Sequence, residues 1–165
     1  MRRSSPAGIT INGWSIFLHP LFIAQLEELL RQVERLRKRD PKGYVSRNAT
    51  KRLAAIRKLA FEVIPHDPGG PEYRQGAALG PGHTHWFRAK FFQQYRLFFR
   101  YDARSRVIVY AWVNDEHSKR AYGSKSDAYS TFKRMLQAGQ PPDDFATLFV
   151  EAKAADARRV FSGDE

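Results

Sequence analysis

The stretch Trp86-Phe87-Arg88-Ala89-Lys90-Phe91-Phe92-Gln93-Gln94-Tyr95-Arg96-Leu97-Phe98-Phe99-Arg100-Tyr101 carries the densest chemistry in the chain. Side chains alternate across a strand, so Trp86, Arg88 and Lys90 share one face while Phe87, Ala89 and Phe91 share the other. Beyond a turn at Phe92-Gln93-Gln94, Arg96, Phe98 and Arg100 share a face opposite Tyr95, Leu97, Phe99 and Tyr101. Pairing Phe91 with Tyr95 sets Lys90 against Arg96, Arg88 against Phe98 and Trp86 against Arg100. Like charges directly across a ladder are destabilising, so folding alone gives no reason to collect these cations. A phosphate chain would neutralise them, with Trp86 available for base stacking. The bland alternative is a solvated outer face, with Arg100 resting on Trp86.

A second constellation is Asn114-Asp115-Glu116-His117-Ser118-Lys119-Arg120-Ala121-Tyr122-Gly123-Ser124-Lys125. It follows an apolar strand and precedes a helix, where a rigid scaffold commonly displays functional groups. It is equally consistent with a polar, helix-capping connector. His83 and His85 flank Thr84 in a Gly-rich loop and suit acid–base work or a metal, but no third ligand is evident in the sequence. No metal and no cofactor are assigned. Phosphate-binding P-loops, HExxH and Gly-x-Ser-x-Gly are absent, and so is the acidic cluster that two-metal nucleases need. The absence of cysteine excludes disulfides, thiolate metal sites and cysteine nucleophiles.

Several elements must position these residues. Phe22, Leu26, Leu29, Leu30, Val33 and Leu36 recur at helical spacing from Pro20, and Asp40-Pro41-Lys42-Gly43 predicts a stop and turn. A second helix is expected from about Ser46, with Ala49, Leu53, Ile56, Ala60 and Val63 as its apolar stripe. Lys51, Arg52, Arg57 and Lys58 lie on its other face. Pro65-His66-Asp67-Pro68-Gly69-Gly70-Pro71 breaks that pattern. Strands are predicted over 72–79, 84–91, 95–101 and 106–113, the last apolar enough to be central. A third helix follows, with Ser124 and Asp127 as a capping box and Ala128, Phe132, Met135 and Leu136 as its core face. Gly139 and Pro141-Pro142 end it. A short helix from Asp144 to about Ala154 closes the series. The order predicts an α+β domain: an N-terminal helical hairpin packed on a four-stranded, mainly antiparallel sheet, followed by one or two C-terminal helices.

The 165 residues suffice for one domain, read as 11–155 between a flexible segment 1–10 and a frayed acidic tail 156–165. Lys and Arg number 28 against 17 Asp and Glu, a net charge of +11 that points to a polyanionic partner. No apolar run reaches the roughly 18 residues of a membrane span, and nothing resembling a signal peptide follows Met1-Arg2-Arg3. A cytoplasmic protein without a membrane partner is the expectation.

Several blocks resemble one family, the YhaV toxins of the RelE-like ribonuclease superfamily. They are Asn12-Gly13-Trp14, His19-Pro20, Ala49-Thr50-Lys51, Tyr95-Arg96-Leu97-Phe98-Phe99-Arg100-Tyr101 and Trp112-Val113-Asn114-Asp115-Glu116. Arg120-Ala121-Tyr122-Gly123, Lys125-Ser126-Asp127-Ala128-Tyr129 and Pro141-Pro142 complete the likeness, which runs in order over about residues 11–150. The resemblance implies the RelE-like arrangement of hairpin and sheet. It also implies a type II toxin, a metal-independent endoribonuclease that inhibits translation by cutting mRNA or rRNA, on the ribosome or off it. The implied neutralising partner is an AbrB-like antitoxin.

By position, Arg88 and Lys90 resemble the two sheet cations before the turn, and Arg96 resembles the arginine after the turn tyrosine. Arg120 resembles the post-strand arginine, and Tyr122, or Tyr129, the tyrosine beyond it. These residues form the implied catalytic set, while Trp86, Arg100, Lys119 and Lys125 are the candidate RNA contacts. Arginine at 88 stands where RelE-type sites have lysine and is a poor base. The general base is thus open among Lys90, His83, His85 and His117. Two other readings are a non-catalytic basic module that occludes RNA or the ribosome, and a gyrase-poisoning toxin of the ParE type.

Overall fold

Asn12 and Gly13 start the fold. Both adopt left-handed φ, 53° and 82°, the mirror-image turn that matches the twist of a hairpin. They join β1 (Ile9–Ile11) to β2 (Trp14–Leu18), so strand pairing begins inside the segment expected to be flexible. The computed structural model of the chain describes residues 9–118, 127–155, 157 and 160. Chain reversal at His19-Pro20 then opens α1 (Pro20–Arg39), where the His19 Nδ1 accepts from the Leu21 N–H at 3.2 Å. Arg37, Lys38 and Arg39 in its last turn complement the helix dipole, and Asp40 ends it.

The second helix, α2 (Asn48–Lys58), continues through a π turn over Leu59–Val63 into the short α3 (Ile64–His66). A π turn inserts an extra residue per turn, and the apolar stripe slips by one. Val63, expected on the core face, is 39% exposed, and Ile64 takes the buried place at 0%. The Tyr110 hydroxyl donates to the Ala60 carbonyl at 2.6 Å within this turn and ties it to the sheet.

The sheet corrects the expected architecture. It has five strands in the order β1-β2-β5-β4-β3, with β3 (Phe87–Phe91), β4 (Tyr95–Asp102) and β5 (Val107–Val113). Because β2 runs parallel to β5 while the other pairs are antiparallel, the sheet is mixed. The fold therefore begins with a strand hairpin rather than a helical one. The strand predicted over 72–79 does not form. Pro71 opens a 3-10 turn through Tyr73, Gly76 and Gly80 sit at φ 63° and 97°, and only an isolated bridge, Arg74 with Phe87, remains. Buried Gln75 satisfies this segment locally, accepting from the Leu79 N–H and donating to the His83 carbonyl at 2.6 Å.

Two cores sandwich the sheet. On one side α1 and α2 pack over Ile16, Leu18, Leu97, Phe99, Ile108 and Tyr110. On the other, α4 (Ala128–Gln137) and α5 (Phe145–Ala154) cover Phe17, Trp86, Phe98, Val109 and Trp112. A register shift opposite Phe98 and Phe99 leaves Ala111 between the pairs Phe98–Trp112 and Phe99–Tyr110. Such a bulge re-aims side chains; here Trp112 joins the face of Phe98 and Phe132, stacking on Phe132 at 5.5 Å. Ala157 and Val160, in the stretch expected to fray, are buried in the first core, and Arg57 donates to the Val160 carbonyl. Among the described residues, no helix is long and apolar enough to cross a membrane.

Candidate active site

The hairpin β3–β4 has the register that the sequence predicts: Phe91 pairs with Tyr95, Lys90 with Arg96 and Arg88 with Phe98. Its turn is sharp, with Phe92 and Gln93 both left-handed at φ 47° and 64°. For residues with a Cβ this conformation costs roughly 1–2 kcal/mol each. Arg96 helps to hold it, donating from Nη1 to the carbonyls of Gln93 at 2.8 Å and Tyr95 at 3.0 Å.

Arg88 and Arg96 on this face are not solvated, whereas Lys90 is. Helix α4 lies over the two arginines, and Arg88 and Arg96 are only 9% and 7% exposed. Asp127 fixes the start of α4 by accepting from the Tyr129 and Ser130 N–H groups, which sets Tyr129 above the strands. Both guanidinium groups then converge on one atom. Arg88 Nε donates to the Tyr129 Oη at 2.7 Å and Arg96 Nε donates to the same oxygen at 3.1 Å. Arg88 Nη1 donates to the Glu72 carbonyl at 2.9 Å. The Arg96 N–H is held by Asn114 Oδ1 at 2.6 Å, and the Asn114 amide donates to the carbonyls of Gln94 and Ser118.

The partners of these two arginines are therefore neutral oxygens. Among the described residues neither forms an ion pair, and neither Nη2 has a hydrogen-bond partner. Buried charge without a counter-charge is costly. An anion reaching the two Nη2 groups would supply the missing charge by charge-assisted hydrogen bonds. Lys90, directly across the ladder from Arg96, is exposed at the rim.

Trp86 lies apart from any open surface. It is fully buried, edge-on to Phe132 at 5.0 Å, and its Nε1 donates to Asp143 Oδ1 at 2.8 Å, leaving no ring face for a base. Arg100 is half-buried with its guanidinium 5.6 Å from the Trp86 ring and 5.4 Å from that of Phe145. Its Nη1 donates to the Asp143 carbonyl, while Nε is buried with no partner among the described residues. Burial draws its pKa down from the ordinary value, against the opposing pull of Asp143 and Asp144. His83, His85 and Trp86 all contact Asp143. Burial pushes this carboxyl up, but hydrogen bonds from Trp86, His83 and His85 outweigh it and hold the carboxyl below its usual value. His117 is exposed in a short 3-10 turn. Lys119, Arg120, Tyr122, Ser124 and Lys125 lie outside the described residues.

Tyr129, Asn114 and Asp143 carry the architecture of this region, yet the sequence marks them weakly. Tyr129 sits at the helical spacing of a core residue beside Phe132. The resemblance names it only as the alternative to Tyr122, and its place after Asp127, an N-cap type, is the local hint that it lies at a helix start. Asn114 follows an apolar strand, a common place for a displayed polar group. No local signal links Asp143 to histidines that lie 58 and 60 residues away.

Comparison with known proteins places the chain in a family. Residues 16–153 match the model of a family described as a toxin with endonuclease activity, of a toxin–antitoxin system. The chain is 43% identical over 145 residues to the Ribonuclease toxin YhaV of Escherichia coli K12, covering 87% of this chain and 94% of that one. The same identity and coverage relate it to Toxin YhaV of Escherichia coli O157:H7, and 42% identity to that of Escherichia coli O6:H1. No solved structure matches it. With the family model spanning most of the chain and relatives this similar, the chain belongs to the YhaV family of toxins with endonuclease activity in toxin–antitoxin systems.

Proposed function

We propose that this toxin cuts RNA by attack of a ribose 2′-hydroxyl on the adjacent phosphate, at a site made by Arg88, Arg96, Tyr129 and Lys90. The observation that carries the reading is the pair of buried guanidinium groups sharing one phenol oxygen and meeting no carboxylate among the described residues. Their Nη2 groups are the donors left for a non-bridging phosphate oxygen, and the phosphorane formed on attack carries more negative charge there than the ground state does. Tyr129 keeps the two forks aligned while accepting from both. The phenol O–H of Tyr122, matched by resemblance, or that of Tyr129, protonates the departing 5′-oxygen. Lys90, across the ladder from Arg96 at the rim, takes or relays the 2′-hydroxyl proton. The new bond joins the 2′-oxygen to phosphorus and the broken one is P–O5′, so the ends are a 2′,3′-cyclic phosphate and a 5′-hydroxyl. Arg120, Tyr122, Lys119 and Lys125 belong to the same proposal by resemblance.

The name Ribonuclease toxin borne by the Escherichia coli K12 relative supports RNA as substrate. A cognate antitoxin of the AbrB-like type fits a chain of net charge +11, in which acidic antitoxin side chains would compete with RNA for Lys90 and the guanidinium groups of Arg88 and Arg96. With translation as its target, the protein works in the cytoplasm. The test is end-group analysis of an end-labelled RNA cut in magnesium-free buffer. Cyclic-phosphate and 5′-hydroxyl ends are expected from the native chain. Ends bearing 5′-phosphate, or an absolute need for magnesium, would overturn the scheme.

A further inference from the structure

The loop before β3 holds a second cluster that the cleavage scheme does not use. His83 ends a 3-10 turn begun at Pro81, and His85 follows two residues later. The chain returns 58 residues on, where Asp143 precedes the N-cap of α5, Asp144. His83 Nδ1 lies 3.0 Å and His85 Nε2 3.2 Å from the same oxygen, Asp143 Oδ1. These ligand atoms all lie within 4.8 Å of one another.

We infer that His83, His85 and Asp143 form a binding site for a zinc-class divalent cation, which clasps the loop before β3 to the start of α5. Two imidazole nitrogens and a carboxylate oxygen are the donor set that zinc takes in three-ligand sites, with water in the fourth place. A tetrahedral ion with bonds of 2.0–2.1 Å holds its ligand atoms about 3.3 Å apart. The two measured edges need to open by only a few tenths of an ångström. All three side chains are partly exposed, which gives the ion a path and leaves room for water. The outer shell is built as well. Trp86 Nε1 donates to the Asp143 oxygen at 2.8 Å, and buried Gln75 anchors the His83 carbonyl at 2.6 Å, the kind of support that orients metal ligands. Arg100 and Asp144 lie beside the site with opposite charges, so the cation meets the net charge of Asp143. Clasping this corner would also fix Trp86, on whose ring Arg100 rests.

The test needs neither RNA nor cleavage, so it stands or falls apart from the proposed mechanism. Full-length chain, with any histidine tag removed and its metal stripped, is titrated calorimetrically with Zn2+ in excess Mg2+, then with Co2+ by visible absorption. One Zn2+ per chain is expected, together with the intense Co2+ band of a four-coordinate site. His85→Gln and Asp143→Asn should each weaken Zn2+ at least tenfold, with the far-ultraviolet circular dichroism of the native chain. His85 is exposed enough that its variant decides the matter should Asp143→Asn fail to fold. Failure to take up stoichiometric Zn2+, a Co2+ spectrum of hexa-aqua type, or zinc affinity unchanged in His85→Gln would each overturn the inference.

Discussion

Tyr129 is the residue on which the proposed chemistry turns, because its oxygen is the one acceptor that Arg88 and Arg96 share among the described residues. Tyr129→Phe keeps the ring and its packing on Phe98 but leaves two Nε–H donors facing carbon. Cleavage of a labelled RNA should fall roughly 100-fold or more, as when one oxyanion donor is lost, while circular dichroism stays native. Full activity in that variant would remove Tyr129 from the scheme. Arg96→Ala separates enzyme from binder. A nuclease should lose cleavage by about the same factor with RNA affinity largely kept. A module acting by occlusion should lose affinity and inhibition together. Lys90, at the exposed rim, is a phosphate contact under either reading, so Lys90→Ala should lower the salt-dependence slope of RNA binding by about one unit.

Within elements, the π turn gives the sharpest mechanical prediction. A regular helix would bury Val63, whereas the observed turn buries Ile64 completely. Ile64→Ala should therefore cost about 2–5 kcal/mol in urea unfolding, and Val63→Ala less than about 1 kcal/mol. The reverse ranking would mean an uninterrupted helix. Tyr110 links this turn to the sheet through its bond to the Ala60 carbonyl. Complete burial, with the charge of Tyr73 adding to it, pushes the Tyr110 phenol well above its ordinary pKa. A folded-state pKa above the unfolded one favours the fold fully below about pH 10, and that contribution is lost as pH rises towards the folded value. Alkaline unfolding tracked by circular dichroism should begin above about pH 10, and Tyr110→Phe should flatten its pH dependence while costing about 1 kcal/mol at neutral pH.

At the scale of the whole molecule, the net charge of +11 is compatible with solubility but calls for an anionic partner. Residues 141–165 run against that trend, with six acidic and three basic side chains. Part of this acidity is spent on the fold itself: Asp144 caps α5, accepting from Thr147 at 2.9 Å, and Asp143 gathers His83, His85 and Trp86. Antitoxin affinity should fall with added salt, as should RNA affinity. Lys90→Glu should weaken both, measured by titration of the purified chain with each partner. A partner that binds Lys90→Glu as tightly as the native chain does not cover this site.

Local chemistry made much of this protein legible from its sequence. The helices α1 and α4, the register of the β3–β4 hairpin and the gathering of Arg88, Lys90 and Arg96 follow from periods of 3.6 and 2 and from one tight turn. Asn12-Gly13 was an equally local hairpin signal, since few other pairs accept two left-handed residues, and it is what the expected four-stranded sheet lacked. Apolar or aromatic character alone misled over 72–79, where Pro71 and two left-handed glycines forbid a ladder. Tertiary structure decided the rest, because the deciding contacts are between distant segments. The parallel pairing of β2 with β5 requires a crossover whose partner strand has no mark in either sequence. Whether a row of cations faces water or a helix depends on where α4 lands, and that is set by the apolar area of Trp86, Phe98 and Trp112, which needs cover on the same face. Covering it turned an expected open basic surface into two buried guanidinium groups meeting at Tyr129, and brought Asp143 to two histidines that had no third partner in the sequence.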